Sequence, residues 1–190
     1  MLIPNVSESS LDRRGASTSN DPVMCSGLSI TLAAADDAAD VAALRNAVAT
    51  VLTRRYGLGH WSSMSSDKGV RASMKRSSIY VARENALVVA TFELATKKPW
   101  AIDRTCFTEV TRPIYLLGMA VDPERQRIGI GRQCIAHAVE VCRQWPADAL
   151  CLDAYDADAG AGAFYLKCGF TEVGRATYRN TPLIYFERLM

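Results

Sequence analysis

The stretch Val121-Asp122-Pro123-Glu124-Arg125-Gln126-Arg127-Ile128-Gly129-Ile130-Gly131-Arg132 constrains this chain most, because it joins a strand pattern to a helix pattern through a glycine turn. Ile114 to Val121 reads as a strand, and Asp122-Pro123 ends it, since proline has no N–H to carry a ladder onward. From about Gly129 to Gln144, Ile130, Cys134, Ile135, Ala138 and Val141 or Cys142 fall on one face of a helix. Gly129 and Gly131 place no Cβ in the way of a ligand approaching the backbone. The first N–H groups of a helix lack intrahelical acceptors and its dipole adds about half a positive charge, so a phosphate is stabilised there. Arg125, Arg127 and Arg132 raise the positive potential further.

Two familiar phosphate sites do not fit. A Walker A loop requires Gly-Lys-Ser/Thr, which is missing. A dinucleotide fingerprint requires the glycines directly after the strand and usually a third glycine; here several residues intervene and Cys134 holds that third place. Nucleotide hydrolysis and hydride transfer are therefore poor readings.

The flanking pattern alternates strands and helices. Leu28, Ile30 and Leu32 alternate as in a half-buried strand, Asp36 or Asp37 offers a helix cap, and Val41, Leu44, Val48, Val51 and Leu52 keep helical spacing. A second helical stretch fits between Ser66 and Arg76. Ile79 to Ala82 and Leu87 to Leu94 flank Glu84-Asn85 as an antiparallel hairpin. Residues 96 to 113, with Pro99, Trp100, Phe107 and Pro113, read as a packed or ligand-covering connection. Ala149 to Tyr155 is a strand, Ala159 to Cys168 a short helix stopped by Gly169, and Phe170 to Arg175 with Leu183 to Leu189 a closing strand pair. Residues 1–26 show no apolar periodicity and read as a flexible leader, which leaves 27–190 as the single domain.

Composition closes off other classes. With 190 residues and 49% hydrophobic content, one sizeable core is expected. A net charge of +2 with mixed signs marks no nucleic-acid surface. The six cysteines form no C-x-x-C pair, and with two histidines no zinc-ligand spacing arises, so no metal is expected. Reduced, packed thiols and the lack of a long apolar run or secretion signal predict a cytoplasmic protein without a membrane partner.

Gln126, Gly129 and Gly131 match the Q/R-x-x-G-x-G/A signature of the Gcn5-related N-acetyltransferase (GNAT) family, which this chain resembles from about residue 28 to its end. MAVDPERQR looks like that family's fourth strand and its exit, and AGAGAFYLKCGF, Ala159 to Phe170, is similar to its second cofactor segment. The resemblance implies an α/β (α+β) fold with a central mixed, mostly antiparallel, twisted sheet of about six to seven strands, flanked by about four helices. Its fourth and fifth strands, here Ile114 to Val121 and Ala149 to Tyr155, would splay to admit a pantetheine arm.

It further implies that acetyl-CoA is the acyl donor and an amine, on a small molecule or peptide, the acceptor, with attack in a ternary complex. Backbone groups of Met119, Ala120 and Val121 would bind the pantetheine, and the N–H of Ala120 or Val121 would meet the oxyanion. Gln126, Arg127, Ile128, Gly129, Ile130, Gly131 and Arg132 would hold the pyrophosphate. Phe164 and Tyr165 would border the cofactor, with Tyr165 as general acid, since a phenol of pKa about 10 can protonate a thiolate of pKa about 8.5. Asp158 stands where many members carry an Asn that bonds the cofactor arm; an ionised Asp accepts but cannot donate.

The family does not fix the general base, and Glu93, Asp103, Asp153, Asp156 and His60 are all candidates. Trp61, Trp100, Phe107 and Tyr115 are candidates for the acceptor pocket or, equally, for core packing, while His137 is expected on the solvated face of its helix. A covalent route through Cys168 lacks an identifiable His partner. The competing reading is a non-catalytic acyl-CoA sensor or interaction module on the same fold. A homodimer is left open.

Overall fold

The computed structural model describes residues 27–190. The expected leader, residues 1–26, lies outside the described residues, and Cys25 with it. The elements run β1 (Leu28–Leu32), α1 (Ala38–Tyr56), α2 (Asp67–Met74), β2 (Ser78–Glu84), β3 (Leu87–Ala95), β4 (Pro113–Val121), α3 (Ile130–Gln144), β5 (Ala149–Tyr155), α4 (Gly162–Lys167), β6 (Thr171–Tyr178) and β7 (Thr181–Leu189). One sheet of seven strands results, in the order β1-β2-β3-β4-β5-β7-β6. Every pair is antiparallel except β4 with β5. This is the mixed, mostly antiparallel sheet with four helices that the resemblance implied.

The sheet buries both faces. Against one, α3 sets Ile130, Cys134, Ile135 and Ala138 on Tyr80, Phe92 and Leu150. Against the other, α1 and α2 set Val41, Leu44 and Val70 on Ile79, Val81 and Val88. Asp37 caps the short turn ahead of α1, where its carboxylate accepts the Ala34 N–H at 2.7 Å and pairs with Arg83. The connection after β3 packs as expected. Its Ile102 is only 2% exposed, in a cluster with Tyr115, Cys151 and Tyr185, and Glu187 accepts both the N–H and the hydroxyl of Thr108.

Three boundaries differ from the sequence expectation. The β2–β3 hairpin turns at Asn85-Ala86, one residue later than the expected Glu84-Asn85, since Glu84 still pairs with Leu87, and Asn85 takes φ of 55°. The β6–β7 pair runs further than expected, to a two-residue turn at Arg179-Asn180 with φ of 48° and 64°. Both residues adopt the left-handed region that suits a twisted hairpin, without the glycine that usually announces it. Helix α4 begins at Gly162 rather than Ala159, because the chain first folds back on β5: a Cβ at Gly160 would stand 1.9 Å from the Tyr155 carbonyl oxygen.

Candidate active site

Strands β4 and β5 pair through only three positions, Pro113 with Ala149, Ile114 with Leu150 and Tyr115 with Cys151. Beyond them β4 stays with β3 as far as Val121 opposite Ala90, and β5 stays with β7 as far as Tyr155 opposite Leu183. The expected splay is therefore present. Strand backbone alternates, so about half of the N–H and C=O groups of Leu116 to Val121 turn from β3 toward the gap.

A bulge accompanies the divergence. The β3–β4 register passes from Thr91 opposite Ala120 to Glu93 opposite Leu117, so Phe92 faces both Gly118 and Met119. Gly118 takes φ of 55°, and the Arg45 guanidinium of α1 lies over it, 2.7 Å from where a Cβ would be. Arg45 pairs with Glu93 at 3.4 Å, and Glu93 accepts the Ser77 hydroxyl at 2.5 Å.

The gap opens into a cleft of about 860 Å³ that ends at the start of α3. Gly129 caps this helix in the left-handed region, φ 99°, and the first helical bond runs from the Gln133 N–H to the Gly129 carbonyl at 3.1 Å. The N–H groups of Ile130, Gly131 and Arg132 precede that bond and are the orphan donors of the helix start. Gln126 ties the turn to β4 by donating from Nε2 to the Val121 carbonyl at 3.2 Å. Arg127 adopts φ of 66°. Arg125 departs from the expectation: it pairs with Asp122 at 2.6 Å and Glu84 at 3.1 Å, so its charge is already balanced within the turn.

Of the expected cofactor contacts, Met119, Ala120 and Val121 on β4, Gln126, Arg127, Gly129, Gly131 and Arg132 at the turn, and Phe164 on α4 lie on the cleft wall. Four do not. Ile128 is 65% exposed outside it and Ile130 is 3% exposed in the core, so only their backbones face the turn. Asp158 is exposed in the loop before α4. Tyr165 is 7% exposed, edge-packed on Phe164, Phe170 and tilted against Phe186. Burial first, and the charge of Asp153 second, push its phenol pKa upward. It therefore holds its proton more firmly than a free tyrosine.

The base candidates separate on geometry. Glu93 is engaged by Arg45 and Ser77, Asp103 by the N–H and hydroxyl of Thr105, and Asp156 by Arg175 at 2.8 Å. His60 is exposed. Asp153 alone lies on the cleft wall, where burial pushes its carboxyl pKa up.

The aromatic candidates separate as well. Trp61 packs edge-on to the cleft-lining Tyr155 at 5.4 Å. Tyr115 and Phe107 belong to the cluster around Tyr185, and Trp100 is 86% exposed. His137 corrects the expectation of a solvated side chain: its ring lies 5.5 Å from that of Tyr80 and 6.2 Å from that of Phe92, and burial lowers its pKa. Sequence reasoning missed Val48 and Leu52 as cleft residues. Their i,i+4 spacing reads as a core stripe, and only the tertiary placement of α1 across β4 turns it toward the gap.

Cys134, Cys142 and Cys151 are buried thiols whose pKa is pushed up to about 12, and burial raises that of Cys168 too, which disfavours a thiolate nucleophile. Among the described residues no cluster suited to a metal ion occurs, and no helix is long and apolar enough to cross a membrane.

The model of the acetyltransferase (GNAT) family matches residues 47–170. No curated protein sequence matches. Among solved structures, yncA from Salmonella typhimurium with acetyl-CoA aligns at TM-score 0.64 and 15% identity, over 85% of this chain and 93% of that one. The ribosomal-protein-S18-alanine N-acetyltransferase of Escherichia coli aligns at 0.64 and 18%, over 85% and 93%. The PaiA N-acetyltransferase of Thermoplasma acidophilum in complex with coenzyme A aligns at 0.66 and 12%, over 86% and 99%.

Proposed function

Because this chain belongs to the GNAT acetyltransferase family, we propose that it moves an acetyl group from acetyl-CoA to a small-molecule or peptide amine by direct attack in a ternary complex. The carrying observation is the three-pair contact between β4 and β5, beyond which the strands part around a cleft that ends at the orphan N–H groups of α3. The pyrophosphate of the donor sits on the N–H groups of Ile130, Gly131 and Arg132, with Arg127 and Arg132 adding charge and Gln126 holding the turn. The pantetheine arm enters as an added strand and bonds the free backbone edge near Met119, Ala120 and Val121, beside Phe164.

The N–H of Ala120 or Val121 donates to the oxyanion that develops as nitrogen attacks the thioester carbonyl, usually the most valuable interaction in acyl transfer. Tyr165, packed behind the cleft-lining Phe164, is the proton donor to the departing sulfur. Burial keeps its phenol protonated throughout the neutral range and weakens it as an acid, and the same desolvation makes the departing thiolate a stronger base, so the proton moves as charge builds on sulfur. The E. coli and T. acidophilum neighbours carry N-acetyltransferase names, and the Salmonella and T. acidophilum structures hold acetyl-CoA and CoA, which supports the donor and the amine class alike. The buried free thiols Cys134, Cys142, Cys151 and Cys168 suit a cytoplasmic enzyme.

Calorimetric titration of the full chain with acetyl-CoA tests the donor half. One saturable site is expected, lost in Gly129→Glu, which sets a carboxylate against the phosphate. Equal affinity in the variant would overturn the phosphate-turn assignment.

A further inference from the structure

An alkyl amine arrives as an ammonium near neutral pH and must shed a proton before its lone pair can attack. Asp153 is the one carboxylate on the cleft wall among the described residues. It lies on the part of β5 that has left β4 and faces Tyr185 across the β5–β7 ladder. The titratable groups felt around it are hydroxyls: Tyr155 on its own strand, Tyr165 on α4 and Tyr185 on β7. The cations nearby are spoken for or distant in role. Arg45 of α1 is turned to Glu93, while Arg127 and Arg132 stand at the helix end of the cleft. On β4, Tyr115 has Arg104 and Cys151 as its electrostatic neighbours rather than Asp153. A half-buried carboxylate without a protein cation is short of a positive partner, and an incoming ammonium supplies one.

The remaining wall limits what carries that ammonium. Val48 and Leu52 of α1 and the ring of Tyr155, backed by Trp61, are apolar or aromatic. One carboxylate with apolar walls matches a single positive charge on an apolar body, and offers nothing to the second and third charges of a polyamine.

We propose that Asp153 docks the acceptor ammonium and is the catalytic base, and that the acceptor is a primary monoamine with an apolar or aromatic body. This rests on the acetyl transfer proposed above. Asp153 takes one proton from R–NH3+; the freed lone pair forms the C–N bond; the C–S bond breaks as Tyr165 passes its proton to sulfur. The second nitrogen proton restores Tyr165, and Asp153 releases its own to water. R–NH3+ and acetyl-S-CoA thus give the acetamide, CoA-SH and one H+. The raised carboxyl pKa of Asp153 makes it a stronger base than a solvated aspartate.

The test measures kcat/KM of the full chain with phenethylamine, β,β-difluorophenethylamine and spermidine, alongside acetyl-CoA affinity. Wild type should prefer phenethylamine to spermidine, and its rate should rise with pH as Asp153 ionises. Asp153→Asn should bind acetyl-CoA as before, lose on the order of 100-fold in kcat/KM for phenethylamine near neutral pH, and replace the Asp153 limb by a rise that follows ionisation of the amine itself. Its loss should shrink with the difluoro amine, which is far less protonated near neutral pH. Asp153→Glu should keep the limb at reduced rate, and decides the matter if the Asn variant folds poorly. Asp153→Asn within about threefold of wild type from about pH 6 to 9 would overturn the base. A preference for spermidine would overturn the acceptor class. Wild type that binds acetyl-CoA but acetylates no amine would instead overturn the underlying transfer reaction.

Discussion

Gly131 lies against the ring of Phe164, so closely that a Cβ there would stand 3.2 Å from Cζ. The start of α3 thus meets α4 at the edge of the cleft, and Met119 of β4 closes the same contact. Gly129 has open space around it and is set instead by its φ of 99°. The two glycines of one motif answer different needs: one for backbone conformation, one for room.

Gly131→Ala should therefore push the Phe164 ring into the cleft. The far end of a side chain can move, so the cost in stability should stay within about 1 kcal/mol. Acetyl-CoA affinity should fall several-fold in a calorimetric titration, while urea unfolding changes little.

Tyr165→Phe should lower kcat on the order of 100-fold, the usual worth of a positioned proton donor, with KM for acetyl-CoA little changed. Because burial raises the Tyr165 pKa, the wild-type profile should show no loss of rate from its ionisation below about pH 10. A variant as active as wild type over the whole range would remove the general-acid role.

Stability should fall at high pH. Burial pushes the Tyr80 phenol up to about 12, and raises Tyr115, Tyr155, Tyr165 and Tyr185 as well. These groups stay protonated in the folded chain while the unfolded chain ionises at about 10, so their stabilisation is complete below that pH and is lost above it. The Tyr80 hydroxyl is buried without a hydrogen-bond partner among the described residues, stacked on Phe92. Tyr80→Phe should gain about 1 kcal/mol at neutral pH and flatten the alkaline decline, read by denaturant unfolding across pH.

Gly118→Ala should destabilise by about 2 kcal/mol or more, from its φ of 55° and the overlap with Arg45. Adding Arg45→Ala removes the overlap and leaves the backbone strain. A double-mutant cycle should then show a coupling of about 1 kcal/mol between the two positions. Additive losses would mean that Arg45 does not press on the bulge.

Much of this was legible in the sequence, for physical reasons that differ by element. Helix α3 and its glycine start were readable because the apolar stripe and the cap are local signals, and the real helix begins one residue later, at Ile130. The Arg179-Asn180 turn was not, because neither residue is glycine and the hairpin itself holds them at positive φ. Arg125 looked free to bind an anion; its partner Glu84 lies across the sheet at the end of β2, a contact that periodicity cannot reveal. His137 was misjudged for the same reason, and only packing decides between the two readings of Tyr115, pocket or core. Which ring a residue meets depends on packing between α3 and the sheet, or between the connection and β7. Asp153 stood as one base candidate among five until the partners of the other carboxylates came into view.

The most direct measurement is release of CoA thiol from acetyl-CoA by the full chain, with a panel of monoamines, polyamines, aminoglycosides and peptides. Thiol release that depends on at least one amine, matched by its acetylated product, is the expected result. Saturable acetyl-CoA binding with no amine-dependent release across the panel would contradict the enzyme and leave a sensor of acyl-CoA.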